Sequence, residues 1–135
     1  MTKDLEFGLS NEEILFDKLK VFDNTIKKTN KMCFCDYEGE NTLIELKTRR
    51  NTKDKYPTTM IGLNKITKFL KSNKKGYCVF NFTDGIYYYE VDNETLKKCN
   101  TGRGGRNDRG RAEYKDYCFI PIELLNPIPI QKSHI

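Results

Sequence analysis

Residues 77–91, YCVFNFTDGIYYYEV, leave little choice of local structure. Two runs of β-branched and aromatic residues flank an Asp-Gly turn, which is the pattern of a β-hairpin. Tyr87, Tyr88 and Tyr89 suit a strand, and stacking on bases is the other use of that residue type. Upstream, KMCFCDY (31–37) and TLIELKT (42–48) also read as strands, joined by the turn EGEN. A short strand over 25–29 would complete a three-stranded meander. Successive side chains of a strand point to opposite faces, so Glu45 and Lys47 share one face and Ile44 and Leu46 the other.

Helices are expected on either side of this meander. Ser10 with Glu13 forms an S-x-x-E capping box, and Leu15, Leu19 and Phe22 follow at the helical period. Asp23, Asn24 and Thr25 are poor helix formers, which puts the end near Phe22, with an extension to Lys28 as the alternative. Glu12 falls on the apolar stripe, where an unpaired carboxylate is costly, yet the first helical turn also favours a negative charge. After a polar basic loop, Pro57 and its neighbouring threonines suit a helix start. Met60, Leu63, Ile66 or Thr67, and Leu70 carry the helical period up to Gly76. Residues 99–113, CNTGRGGRNDRGRAE, lack an apolar pattern and read as a flexible loop. They fit neither the dinucleotide-binding glycine pattern nor the P-loop spacing. YCFIPIELL then gives a last strand and turn before a proline-spaced tail.

At 135 residues the chain is most simply one domain: a core over about 10–92, the basic loop 99–113, and a C-terminal strand and tail over 114–135. With no long apolar run and no secretory leader pattern, the expectation is a soluble intracellular protein without a membrane partner, in cytoplasm or nucleus. The five cysteines (33, 35, 78, 99, 118) are odd in number and irregularly spaced, unlike a disulfide framework. Cys33 and Cys35 would need two more ligands to hold zinc, and the single histidine is His134, so buried apolar thiols are the better reading. The net charge is only +5, but it is segregated. Residues 47–75 hold ten Lys/Arg against one acid, and 97–115 hold seven against two. Each cluster alone is compatible with an ordinary solvated surface; together they suit a polyanion.

The combination most informative for function is an Asp at position 36, an E-x-K triplet (Glu45-Leu46-Lys47) across a turn from it, and then a basic loop and helix. In this the chain resembles the PD-(D/E)XK nuclease superfamily, which includes restriction enzymes, Holliday-junction resolvases and viral or phage exonucleases. The resemblance spans roughly Ser10 to Phe82. It implies an α/β (α+β) fold with a restriction-endonuclease-like core, αβββαβ, built on a central mixed four-stranded sheet flanked by helices. The extra C-terminal strands would add to that core. Asp36 matches the superfamily's Asp, Glu45 and Lys47 its E-x-K, and Glu12 its first-helix acid, with Glu13 as the fallback. Cys35 stands where the superfamily often has proline.

The implied activity is metal-dependent hydrolysis of DNA. Mg²⁺, with Mn²⁺ able to substitute, is a hard ion that prefers oxygen. Asp36, Glu45, the Leu46 carbonyl and Glu12 are the expected ligands. Lys47 would assist the attacking water or the developing charge. Arg49, Arg50, Asn64, Lys65 and Lys68 are expected to hold the DNA backbone near the metal, with Arg103, Arg106 and Arg109 on a further stretch. Whether the substrate is a sequence, a branch as for a resolvase, or an end stays open. Cutting both strands calls for two active sites, hence a homodimer. Two other classes remain: a nuclease-like domain that binds nucleic acid without cutting it, and an RNA-binding module built on the Gly/Arg loop.

Overall fold

Residues 13–30, 32–106 and 113–128 are described by the structure, a computed structural model, with backbone alone for 104–106 and 113–115. A first helix, α1 (13–19), is followed by β1 (Lys27–Lys28), β2 (Tyr37–Glu38) and β3 (Thr42–Thr48). A 3-10 turn at Lys53–Lys55 leads into β4 (Thr58–Gly62) and α2 (Leu63–Lys71). The hairpin β5 (Lys75–Phe82) and β6 (Gly85–Val91) is where the sequence puts it, and a single turn of helix, α3 (Thr95–Lys98), follows. The chain then forms β7 (Asn100–Arg106), β8 (Glu113–Pro121), a 3-10 turn at Ile122–Leu124 and β9 (Asn126–Pro127).

The fold is mixed α/β, as expected, but its sheets are larger. The main sheet has six strands in the order β1-β2-β3-β5-β6-β9. Only β3 and β5 run parallel. They lie at the centre, which buries both faces of β3 over Thr42–Glu45. One face packs Leu19 of α1 with Ile26, Ile44, Tyr77, Val79 and Ile128. The other packs Leu43, Cys78 and Phe80 against Ile66 and Phe69 of α2 and against Ile61, Cys118 and Ile120. The last three belong to a second sheet, β4-β8-β7, which is antiparallel throughout.

That second sheet overturns two expectations. The helix does not begin near Pro57 or Met60. Residues 58–62 form a strand, because Thr58, Thr59 and Ile61 are β-branched and β8 offers them a ladder from Thr58↔Pro121 to Gly62↔Tyr117. Thr59 and Ile61 alternate into the core, and α2 starts only at Leu63. The Gly/Arg segment is likewise not a loop over its first half. Asn100–Arg106 pairs residue for residue with Glu113–Phe119, since ladder hydrogen bonds come from the backbone and ask nothing of a side chain. A Cβ on Gly102 would sit 3.4 Å from the Phe119 ring, an ordinary van der Waals contact, so nothing in the packing excludes a side chain there.

A third correction concerns 31–37. Among the described residues of this segment and the turn after it, only Tyr37 and Glu38 pair as a strand. Before them the chain bends: Asn30 Oδ1 accepts from Met32 N–H at 2.9 Å, Cys33 N–H donates to Asn30 O at 3.2 Å, and the Thr29 hydroxyl donates to Cys35 O. The bend carries Phe34 onto Phe69 of α2, ring centres 5.7 Å apart, and buries Cys35. All five cysteines are free thiols and four are buried, as the sequence suggested. The tyrosine run is also structural. Tyr87 packs on Phe82, Tyr88 on Phe22 and Tyr77, and the buried Tyr89 hydroxyl hydrogen-bonds Thr95 Oγ1 at 3.1 Å.

The β2–β3 turn is fixed from outside by Asp23. Its carboxylate accepts from Thr25 N–H at 2.9 Å, from the Thr25 hydroxyl, and from Asn41 N–H at 3.0 Å. These bonds, the Thr25 hydroxyl first, hold the Asp23 carboxyl at about 2, below its ordinary 3.8. A group whose folded pKa is depressed binds fewer protons folded than unfolded, so its contribution is present above about pH 4. It is lost as pH falls through about 2. Asp23→Asn should therefore be less stable than wild type at pH 7 and indistinguishable from it near pH 2, as read by thermal melts across pH. A stability gap that persists unchanged to pH 2 would mean that the carboxylate's charge is not what holds the turn.

Candidate active site

The fork between β2 and β3 brings the E-x-K triplet and Asp36 together. The two strands pair at Glu38↔Leu43 and Tyr37↔Ile44, and Asp36 N–H reaches Ile44 O at 2.9 Å. One residue further the chain bends away, so Asp36 stands beside Glu45 at the point of divergence. Its carboxylate accepts from Leu46 N–H at 2.7 Å. In a strand a residue's N–H and C=O face the same edge, so the Leu46 carbonyl is also directed to the edge that Asp36 occupies.

Glu45 is 4 % exposed, on the β3 face that looks toward α2. Its Oε2 lies 3.2 Å from Lys47 Nζ, a half-exposed side chain two residues along the same face. Burial pushes the Glu45 carboxyl above its ordinary value, and the negative charge of Asp36 pushes it further. Lys47 and Lys65 pull the other way. Glu45 is thus a buried carboxylate that feels the charge of the half-buried Asp36 beside it.

Asp36 also lines a cleft of about 500 Å³ on the α1 side of the sheet, together with Glu13, Phe16, Lys28, Leu46 and Thr48. Of the two candidates for the first-helix acid, Glu13 therefore shares a cleft with Asp36; Glu12 lies outside the described residues. Asp36, Glu45 and Leu46 C=O form an all-oxygen donor set suited to a hard divalent cation. In this conformation Asp36 is turned onto Leu46 N–H and Glu45 onto Lys47. Among the described residues no three His, Cys, Asp or Glu side chains converge as a metal cluster.

The basic residues divide into two groups. Arg50, Asn64 and Lys68 are exposed, and Lys68 Nζ lies 5.4 Å over the Phe34 ring. Lys65 is turned inward and donates to Phe34 O, within reach of Glu45's charge. Arg49 donates to Met60 O at 2.6 Å and lies 5.8 Å over the Phe80 ring, tying β3 to β4. Sequence reasoning assigned Lys65 and Arg49 to DNA alone and missed this internal work. The only sequence signal for it is that Lys65 adjoins the apolar position Ile66 and Arg49 continues the inward parity of Glu45 and Lys47. Arg103 is exposed on β7; Arg106 is on the same strand, and Arg109 lies outside the described residues.

None of the helices among the described residues is long and apolar enough to cross a membrane. Residues 11–128 match the model of a family described as "Phage putative PDDEXK endonuclease". No curated protein and no solved structure matches the chain.

Proposed function

The chain belongs to that phage PDDEXK endonuclease family, and on this premise we propose that it is a Mg²⁺-dependent DNA endonuclease whose centre is Asp36, Glu45 and Lys47. The observation that carries the reading is the β2–β3 register, which sets Asp36 beside the buried Glu45. Such a pair is costly by itself and is relieved by a divalent cation. Asp36, Glu45 and the Leu46 carbonyl would hold Mg²⁺, or Mn²⁺ in its place, with Glu13 or Glu12 assisting from α1. When bound, the ion supplies Lewis-acid polarisation of a phosphate oxygen.

The chain's own groups do the rest. Lys47, on the same face as Glu45 and half exposed, orients the attacking water and offsets charge that builds on the phosphate. Lys65 anchors the bend that carries Asp36 by holding Phe34 O, and so keeps Asp36 against β3. Arg50, Asn64 and Lys68 present the polar surface that receives the backbone of the cut strand. Branched or otherwise structured DNA is the substrate class we favour, with a homodimer supplying the second cut.

The test is to incubate wild type and Glu45→Ala with linear, nicked, branched and single-stranded DNA in Mg²⁺, Mn²⁺ or EDTA. Cutting by wild type in either metal, none in EDTA and none by Glu45→Ala is the expected result. If wild type cuts nothing in either metal the nuclease reading is wrong, and equal cutting by both proteins would move the active site elsewhere.

A further inference from the structure

A second cavity, of about 370 Å³, lies beside the site on the α2 side of the main sheet, and the cleavage reaction does not use it. Its inner wall is apolar, made by Met60, Phe82, Phe119 and Ile122. Arg49 forms the side nearest the catalytic strand and is already engaged by Met60 O, which fixes β4 as the opposite wall. At the mouth stands Tyr56, 53 % exposed. Lys55 Nζ lies 5.5 Å over that ring and supplies the positive charge of the lip, while Lys53, which lines the cavity, is 3.5 Å from Asp54 Oδ1.

The position is as informative as the lining. Arg49 follows β3 and keeps its line by donating N–H to Asn81 O at 2.9 Å. It lies over Phe80, which is the β5 register partner of Lys47, so Lys47 and Arg49 occupy the same face. Two residues of extended chain span roughly 7 Å. The cavity therefore begins about one nucleotide's reach from the lysine that faces the scissile phosphate.

We propose that this cavity is a nucleobase pocket, which takes an unpaired base of the DNA next to the bond to be cut and stacks it on Tyr56. The inference rests on the nuclease reading for its position, and on the cavity's own chemistry for its ligand. A concave apolar wall, an exposed aromatic lip and a cationic rim match a flat heteroaromatic ring attached to a phosphate. A base inside a duplex has both faces covered by its neighbours, so only an extruded or unpaired base can enter. The pocket thus selects distorted, bulged or branched DNA over continuous duplex.

The experiment measures binding in EDTA, by fluorescence anisotropy, of two duplexes that differ only in one unpaired nucleotide. Wild type, Tyr56→Ala and Tyr56→Phe are compared, with melting curves to confirm that all three fold. Wild type should bind the bulged duplex about tenfold more tightly, the size expected for stacking one base on an aromatic ring. Tyr56→Phe should keep the preference. Tyr56→Ala should lose it while its affinity for the paired duplex stays within about twofold, because the backbone contacts are untouched. Equal binding of both duplexes by wild type, or a preference that survives in Tyr56→Ala, overturns the proposal. Metal-dependent cutting without the preference removes only the pocket; the preference without cutting removes only the nuclease.

Discussion

Glu45→Gln is expected to lower the rate of DNA cleavage by about a thousandfold or more and, in the absence of metal, to raise thermal stability. The first effect follows from replacing the carboxylate proposed to bind and orient a divalent cation with a neutral amide. A loss of roughly 4 kcal/mol in the transition state corresponds to that factor and lies within what Lewis-acid stabilisation supplies. The second follows from burial. Glu45 is 4 % exposed, its carboxyl is raised by desolvation and by Asp36, and its partner Lys47 is half in water, where a pair is worth little. A neutral isostere removes the buried charge and keeps the shape, and gains of about 1 kcal/mol are usual for such relief at functional sites.

The pH dependence has a definite sign. A carboxyl with a raised folded pKa binds more protons folded than unfolded, so metal-free wild type loses stability as pH rises from about the ordinary 4.5 through the raised value. Glu45→Gln lacks that loss, so the two melting curves should separate progressively across that range and stay apart by a constant amount above it. A variant that melts below wild type at pH 7 would show that the Glu45–Lys47 pair is a net stabiliser. Cleavage at the wild-type rate would remove Glu45 from the site altogether.

Phe80→Ala should cost about 3–5 kcal/mol, a large share of the 5–15 kcal/mol typical of a domain this size. Phe80 has no exposed surface, packs against Phe82 with ring centres 6.1 Å apart, and lies under Arg49 and opposite Lys47 in the register of β3 and β5. Its removal opens a void between the two sheets, where the rigid ladders on both sides limit collapse. Urea unfolding should show a lower midpoint at an unchanged slope. A loss below about 1 kcal/mol would mean that the core closes over the gap, against the close packing on which the estimate rests.

What could be read in the sequence was whatever is decided within a few residues. The β5–β6 hairpin has its turn and its aromatic runs inside fifteen residues, and it folds as read. The relation of Asp36 to Glu45 was legible because the short turn after Glu38 sets the register, and Tyr37↔Ile44 then leaves Asp36 next to Glu45. Thr58–Gly62 reads as part of a helix from local pattern alone because its partner, β8, lies some sixty residues later. Likewise the glycines of Asn100–Arg106 disguise a strand whose only reason to form is the ladder opposite. Local pattern puts Asp36 at the end of a strand, whereas the bend over 32–36 delivers it, and that bend depends on Asn30 and on Lys65 from α2. No pattern in the sequence reports a lysine reaching a carbonyl thirty-one residues away.

The two outer strands of the main sheet bear on how copies of this protein could meet. β1 is two residues long, and both, Lys27 and Lys28, are exposed lysines. At the other end β9 is also two residues long and ends in Pro127, which has no N–H to offer a neighbour. Short, charged or proline-blocked margins discourage another chain from adding on by backbone pairing. Joining two main sheets end to end is therefore disfavoured. A dimer that cuts both strands would meet through surfaces other than these two margins, so the spacing of strands in the main sheet would not set the distance between its two cuts.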